Sequence, residues 1–367
     1  MSQVFFIDLR ASIQRNLFDK LAALCDAAGL PEVVRPRDLV AVKLHFGERG
    51  NTAFIRPIFI RQVVERIKVA GGRPFLTDTN TLYAGTRSDS VSHLVTAIEN
   101  GFAYAVVGAP LVIADGLRGA ATSSVEVNLD HYQTINIGAD IAGADSLIGC
   151  AHFKCHELSG FGGAIKNIGM GCAGRAGKLS QHSTIAPRVN KEKCKVCRDC
   201  LSRCAAQAFR FTEQGVDIDP AACTGCGECI VLCPRGAIEI QWNEAIPAFQ
   251  QKMVEYAYGV LKHKAGRAMF LNFLTNVSPA CDCYGYADAP VVPDVGILAS
   301  RDPVALDAAS ADLINLQPGR EDSCLSGGHA RGEDKFRAVY PHVDWEVQLD
   351  YAARLGLGER RYELTRL

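Results

Sequence analysis

An α/β fold with a mostly parallel sheet and flanking helices is predicted by two observations. Short apolar runs alternate with segments of helical period over residues 1–155, and the same alternation resumes after residue 242. A third observation, eight cysteines packed between Cys194 and Cys233, predicts a small inserted α+β module. The chain therefore divides into residues 1–188, the first part of an α/β domain; residues 189–241, the insert; and residues 242–367, the second part of that domain.

Taken in order, residues 40–46 read as a strand, with Val40, Val42, Leu44 and Phe46 on one face and Lys43 and His45 on the other. A helix follows over 57–70, where Ile55, Ile58, Phe59, Val63 and Ile67 recur at helical spacing and Pro57 suits the first turn. Gly71 and Gly72 end it. Residues 74–77 read as a second strand, 88–100 as a helix closed by Gly101, and 103–113 and 146–153 as further runs of strand character. Seven of the eighteen residues from Gly160 to Gly177 are glycine. Beyond the Cys block, 244–262 reads as a helix and 269–277 and 295–299 as strands. Asp302 then caps a helix that opens on Pro303. Cys25 falls in an apolar helical pattern and reads as core.

Composition narrows the function. The 367 residues carry 39 Lys and Arg against 40 Asp and Glu, so no overall field draws the chain to nucleic acid or an acidic membrane. Residues 1–10 are too short an apolar stretch for a signal peptide, and no uncharged run of 18 apolar residues occurs. These features predict a cytoplasmic protein. There is no GxSxG elbow, no HExxH and no Walker A spacing, since Leu179 follows Lys178.

The cysteine spacing carries chemistry. Cys194-x2-Cys197-x2-Cys200-x3-Cys204 repeats 29 residues later as Cys223-x2-Cys226-x2-Cys229-x3-Cys233-Pro234. Three thiolates spaced by two residues wrap one side of a 4Fe-4S cube, and the fourth comes from the other run, as in two-cluster ferredoxins. Cys194, Cys197, Cys200 and Cys233 are thus assigned to one cluster, and Cys223, Cys226, Cys229 and Cys204 to the other. Structural zinc is the competing reading, but zinc sites pair two CxxC units for four ligands in all, not eight. Lys191, Lys193, Lys195, Arg198 and Arg203 make the first loop basic, which suits an acidic redox partner or simply a solvated face.

A second set of residues gathers at expected strand ends, where α/β sheets build their sites. Lys43, His45, Asp78, Lys154 and Lys166 are candidate catalytic residues. Cys172, Cys281 and Cys283 are candidate ligands of a third cluster or metal ion, with His156 or Cys155 as the fourth. Gly169, Gly171 and Gly174 match GxGxxG, but the segment before them reads as helix or turn, so a dinucleotide site is not expected.

With these residues laid out, the chain resembles domain-of-unknown-function family 362, in its ferredoxin-containing branch. The likeness runs through residues 42–48, 77–80, 152–157, 160–172, 281–283 and 296–303. It implies a 4Fe-4S protein with no reaction established for the family, and it favours His156 over Cys155 as fourth ligand. The resulting expectation is an electron-transferring oxidoreductase whose module feeds a cleft or third centre that takes a small-molecule substrate. The alternative is a non-enzymatic electron carrier, or a scaffold delivering metal or cluster.

Iron and sulfide counting on anaerobically prepared protein tests the motif directly. About eight irons per chain is the outcome for two cubes, and about twelve marks a third.

Overall fold

The computed structural model describes residues 1–212 and 215–367. Eight strands form one sheet: β1 (Ser2–Asp8), β2 (Leu39–Lys43), β3 (Arg73–Asp78), β4 (Leu111–Ile113), β5 (Ser146–His152), β6 (Ala268–Leu274), β7 (Gly296–Ser300) and β8 (Tyr362–Arg366). Their order is β8-β1-β7-β6-β5-β2-β3-β4. Only β7 runs against its neighbours β1 and β6; the other pairings are parallel. The chain therefore has the mostly parallel α/β architecture that its alternation indicates.

A parallel sheet is covered on both faces, so its strands are apolar on both. Val40, Val42, Ile148, Cys150, Met269 and Leu271 point to one layer, packed against α1 (Leu17–Ala27) and α2 (Pro57–Val69). Ala41, Leu147, Phe270 and Leu298 point to the other. That layer is built by α3 (Ala164–Gly169), α4 (Arg175–His182), α5 (Ile246–Lys262) and α6 (Pro303–Asn315). Cys25 is a buried residue of α1, and Asp302 caps α6 by accepting from the Val304 and Ala305 amides at 2.8 and 2.9 Å.

Three expectations change. Residues 103–113 are not one strand: Tyr104–Val107 is a helical turn stopped by Gly108 in the left-handed region, and only Leu111–Ile113 pairs. The helix expected over 88–100 is regular only across Ser90–Ala97, then loosens into a wider turn at Ile98–Phe102, where Gly101 has φ 92°. Residues 1–10, read only for a leader, contain β1, and β8 beside it alternates too weakly to register as a strand.

The Cys-rich segment is closed at its neck by Arg188–Val189 pairing with Ile238–Glu239. It holds a hairpin, Phe209–Thr212 against Gly215–Ile218. Its own small core, Phe209, Val216, Ile230 and Ile238, is completed by Leu82 and Leu179 from outside the segment.

The register pairs Lys43 with Thr77 and Gly149, so β2, β3 and β5 end on one side of the sheet, with Asp78 one residue and His152 three residues beyond that level. The helix beyond them, α3, is fixed from a distance. Asp307 of α6 accepts from the Ala164 and Ile165 amides at 2.7 and 2.9 Å and from Asn272 at 2.7 Å. Burial raises this carboxyl to about 6, although its hydrogen bonds pull the other way. The folded state thus keeps a proton that the unfolded chain has released between about pH 4 and about pH 6. The contribution of this group to stability falls as pH rises through that window, by about 3 kcal/mol in all. Unfolding of Asp307→Asn compared with the parent at pH 4 and pH 7 checks this. The variant should gain on the parent as pH rises, whereas parallel curves would refute the assignment.

Candidate functional site

The strand ends open into a cavity of about 580 Å³. Seven of the residues singled out by sequence reasoning line it: Lys43, His45, Asp78, Lys154, His156, Lys166 and Cys281, with Cys283 beside them as an eighth. The lining also includes Tyr83, Arg87, Lys178, His182 and Trp242, which the sequence reading passed over.

Lys43 ends β2 with its ammonium 3.0 Å from Asp78 and 3.0 Å from the Asn167 side-chain oxygen. Asp78 ends β3 and also faces Arg87 at 3.6 Å. Burial alone would raise its carboxyl, but the charges of Lys43 and Arg87 outweigh burial and hold it below the usual range. Arg87 reaches on to Glu48 at 3.2 Å and donates to Tyr83 Oη at 2.7 Å, while Glu48 accepts from the Thr86 amide and hydroxyl. Burial depresses half-buried His45, and the Arg87 charge adds to the effect, so its imidazole is neutral. Removing Arg87 would leave the buried Glu48 carboxylate without its cationic partner, a loss of about 3–5 kcal/mol in comparable buried pairs.

On the opposite wall, Asp282 is fully buried between His152 Nδ1 at 2.8 Å and Lys154 at 3.1 Å. His152 and Lys154 more than offset its burial and hold it well below the usual carboxylate range. The residues on either side of it, Cys281 and Cys283, share the cavity side. The Cys283 amide donates to Cys281 Sγ at 3.4 Å, and Lys166 Nζ stands 3.7 Å from the same sulfur. The Cys283 thiol hydrogen-bonds Cys281, and together with Lys166 and His156 this lowers Cys281 well below an ordinary thiol despite burial; Cys283 is raised in turn. His156 Nδ1 accepts from the Leu158 amide at 3.2 Å, which leaves Nε2 as the protonated nitrogen.

The proposed third-centre ligands do not all converge. Cys172 lines no part of the cavity; it packs in the core, where burial pushes its thiol up to about 12 and keeps it neutral. Cys155 lies in the same core with Phe153 and Phe161, because strand alternation turns it away from Lys154 and His156. Among the described residues no three His, Cys, Asp or Glu side chains are gathered as a single ion would need. The GxGxxG glycines serve packing. Gly169 ends α3, and a β-carbon there would strike the Met253 carbonyl of α5; one on Gly171 would strike Lys43 and the Asn167 carbonyl.

Lys178, one turn into α4, donates to Thr79 Oγ1 and to the Ala173 carbonyl at 2.6 Å. Burial lowers its ammonium to about 8, against the pull of Asp115 and Asp78.

The eight clustered cysteines line two further hollows. One is bounded by Cys194, Cys197, Cys200 and Cys233, the other by Cys204, Cys223, Cys226 and Cys229. These are the crossed quartets that the spacing assigns, so the donor set suits two 4Fe-4S cubes. The duplication extends to the backbone. Ala208 and Ala237 amides donate to Cys204 and Cys233 sulfurs at 3.3 and 3.2 Å, 29 residues apart. Three left-handed positions also recur: Gly225, Gly227 and Gly236 in the second run match Val196, Arg198 and Gln207 in the first. A β-branched Val at positive φ is strained, and such positions cost about 1 kcal/mol or more each. The first loop is therefore held in a conformation its own side chains oppose.

A model of the family described as "Domain of unknown function (DUF362)" matches residues 40–312. The chain is 44% identical over 52 residues to "Indolepyruvate oxidoreductase subunit IorA" of Methanothermobacter marburgensis, a match that covers 14% of this chain and only 8% of that protein. A further match, 34% over 82 residues, covers 22% of the chain and 79% of "Pyruvate synthase subunit PorD" of Thermotoga maritima. Among solved structures, the lactate racemase apoprotein of Thermoanaerobacterium thermosaccharolyticum superposes with a TM-score of 0.41 at 11% identity, over 87% of this chain and 58% of that one. No helix among the described residues is long and apolar enough to cross a membrane.

Replacing Val196, Arg198 and Gln207 by glycine should relieve the first loop by up to about 1 kcal/mol per position. The check is the rate of bleaching by a chelator: slower loss of visible absorbance in the triple variant is expected, and faster loss would contradict the strain argument.

Proposed function

The chain belongs to the family described as Domain of unknown function (DUF362), and from that premise we propose that it is an iron–sulfur oxidoreductase that reduces a small anionic molecule in the cavity. When bound, two 4Fe-4S clusters would supply one-electron steps at low potential. Cys194, Cys197, Cys200 and Cys233 would hold one, and Cys223, Cys226, Cys229 and Cys204 the other. In this reading residues 189–241 are an inserted ferredoxin-like module, and residues 1–188 and 242–367 make one α/β domain around the cavity.

The observation that carries the reading is the position of Leu82. It lines the cavity and also belongs to the core of the Cys-rich segment. A β-carbon on Gly227, between Cys226 and Cys229, would lie 3.2 Å from its side chain. A single layer of side chains thus separates the second quartet from the cavity. An electron carrier alone has no need of such a hollow, and the carrier reading leaves the buried charges around it unexplained.

Within the cavity the residues divide by role. Lys43 and Arg87 are neutralised by Asp78 and Glu48 and position one another. Among the described residues Lys178 hydrogen-bonds only a hydroxyl and a carbonyl, with Asp115 and Asp78 further off, and its side chain lines the cavity. Such a lysine binds an anionic group and, with its ammonium lowered to about 8, donates a proton near neutral pH. Electrons would enter from a redox partner protein at the first loop, where Val196 and Cys197 are exposed. Lys191 and Lys193 are paired there with Asp217 and Glu239.

Reduced methyl viologen as donor, with a panel of carboxylate-bearing two-electron acceptors, tests the proposal. Acceptor-dependent oxidation of the dye is expected, falling as pH rises through about 8 and at least tenfold lower in Lys178→Met. Dye oxidation that is independent of every acceptor, and unaltered in Lys178→Met, would favour a plain carrier.

A further inference from the structure

We propose that Cys281 and Cys283 form a dithiol–disulfide couple that collects two electrons and releases them as a pair into the cavity. This rests on the reading of the Cys-rich segment as an electron donor.

The turn is built for two sulfurs on one side. Asp282 is clamped away from the cavity by His152 and Lys154, and the Glu48 amide donates to its carbonyl at 3.0 Å. With the central residue held, its two neighbours face the same way, and the Cys283 amide folds back onto Cys281 Sγ at 3.4 Å. Lys166 Nζ stands 3.7 Å from Cys281 Sγ, the same sulfur that accepts from the Cys283 amide. The asymmetry separates roles: Cys281 is the nucleophilic thiolate and Cys283 the resolving thiol.

A route from the second quartet ends at this pair. Leu82 packs toward Gly227, and the next residue, Tyr83, donates its hydroxyl to the Cys283 carbonyl at 2.9 Å. Two adjacent residues therefore span the distance between the donor segment and the dithiol.

The chemistry balances. Reduction breaks one S–S bond, takes two electrons singly through the Leu82–Tyr83 link and takes one proton onto Cys283. Cys281 remains a thiolate beside Lys166. Two one-electron centres hold the two electrons this step requires. Reoxidation by the bound acceptor re-forms the S–S bond and passes on both electrons and the proton. Direction follows from stabilisation. A disulfide between residues two apart is strained, and Lys166 and His156 favour the thiolate; both effects make a couple more oxidising. Electrons from low-potential clusters then run downhill to it.

A reductive titration of the anaerobic holoprotein, with alkylation and peptide mass analysis at each end point, tests the couple. The oxidised parent should show a Cys281–Cys283 disulfide and take up about four reducing equivalents per chain, against about two for Cys283→Ser at unchanged iron content. Equal uptake by both proteins, or free alkylation of both thiols in the oxidised parent, overturns the proposal while leaving the module reading intact. Iron falling from about twelve to about eight in the variant also overturns it, because the thiols would then hold iron. Iron far below eight in both proteins, with the disulfide present, instead sinks the module reading alone.

Discussion

The buried carboxylate of Asp282 is the contact on which the site depends. A lone carboxylate at zero exposure would be prohibitive, so His152 at the end of β5 and Lys154 just beyond it must stay within about 3 Å of it. That requirement joins the end of β5 to the loop after β6, and the Glu48 amide on the Asp282 carbonyl joins the loop after β2. Glu48 in turn holds Arg87 and Tyr83, and Arg87 faces Asp78 at the end of β3. Two strand ends and three loops are thus locked by one chain of ion pairs and hydrogen bonds. The rigidity lies where a parallel sheet leaves its backbone unpaired.

The charges that remain after pairing decide what the cavity is suited for. Lys43, Lys154 and Arg87 have carboxylate partners; Lys166 stands beside the Cys281 sulfur, and Lys178 hydrogen-bonds neutral groups, with the charges of Asp115 and Asp78 further off. On the proposed reading an anionic ligand completes this pattern. The same wall touches the Cys-rich segment through Leu82 and Leu179, so the hollow and the quartets are neighbours by construction.

Much of this was legible in the sequence. The strand read over 40–46, which the structure ends at Lys43, the α2 helix, the Asp302 cap and both cysteine quartets follow from period, capping and spacing, which are local signals. Arg87, Asp282 and Lys178 were missed because their roles come from partners about 40 to 130 residues away: Glu48, His152 and Thr79. A hint existed for Asp282, a charge between two cysteines after a strand. The α3 N-terminus offers no local cap at all, since Asp307 supplies it from 143 residues further on. Cys172 was drawn to the site by its glycine-rich surroundings, whereas those glycines let helices approach closely and carry the thiol into the core. The doubled loop shows the converse case. The spacing revealed the repeat, but only backbone angles revealed that Val196, Arg198 and Gln207 occupy positions where the second copy has glycine.

The central claim is that two crossed cysteine quartets hold a pair of cubane clusters a single side-chain layer from the cavity. Electron paramagnetic resonance on the fully reduced protein tests it most directly. The expected spectrum is that of two 4Fe-4S centres broadened by their mutual magnetic interaction, with the second centre perturbed when Leu82 is replaced. A reduced protein that is silent, with zinc as its bound metal, would contradict the account.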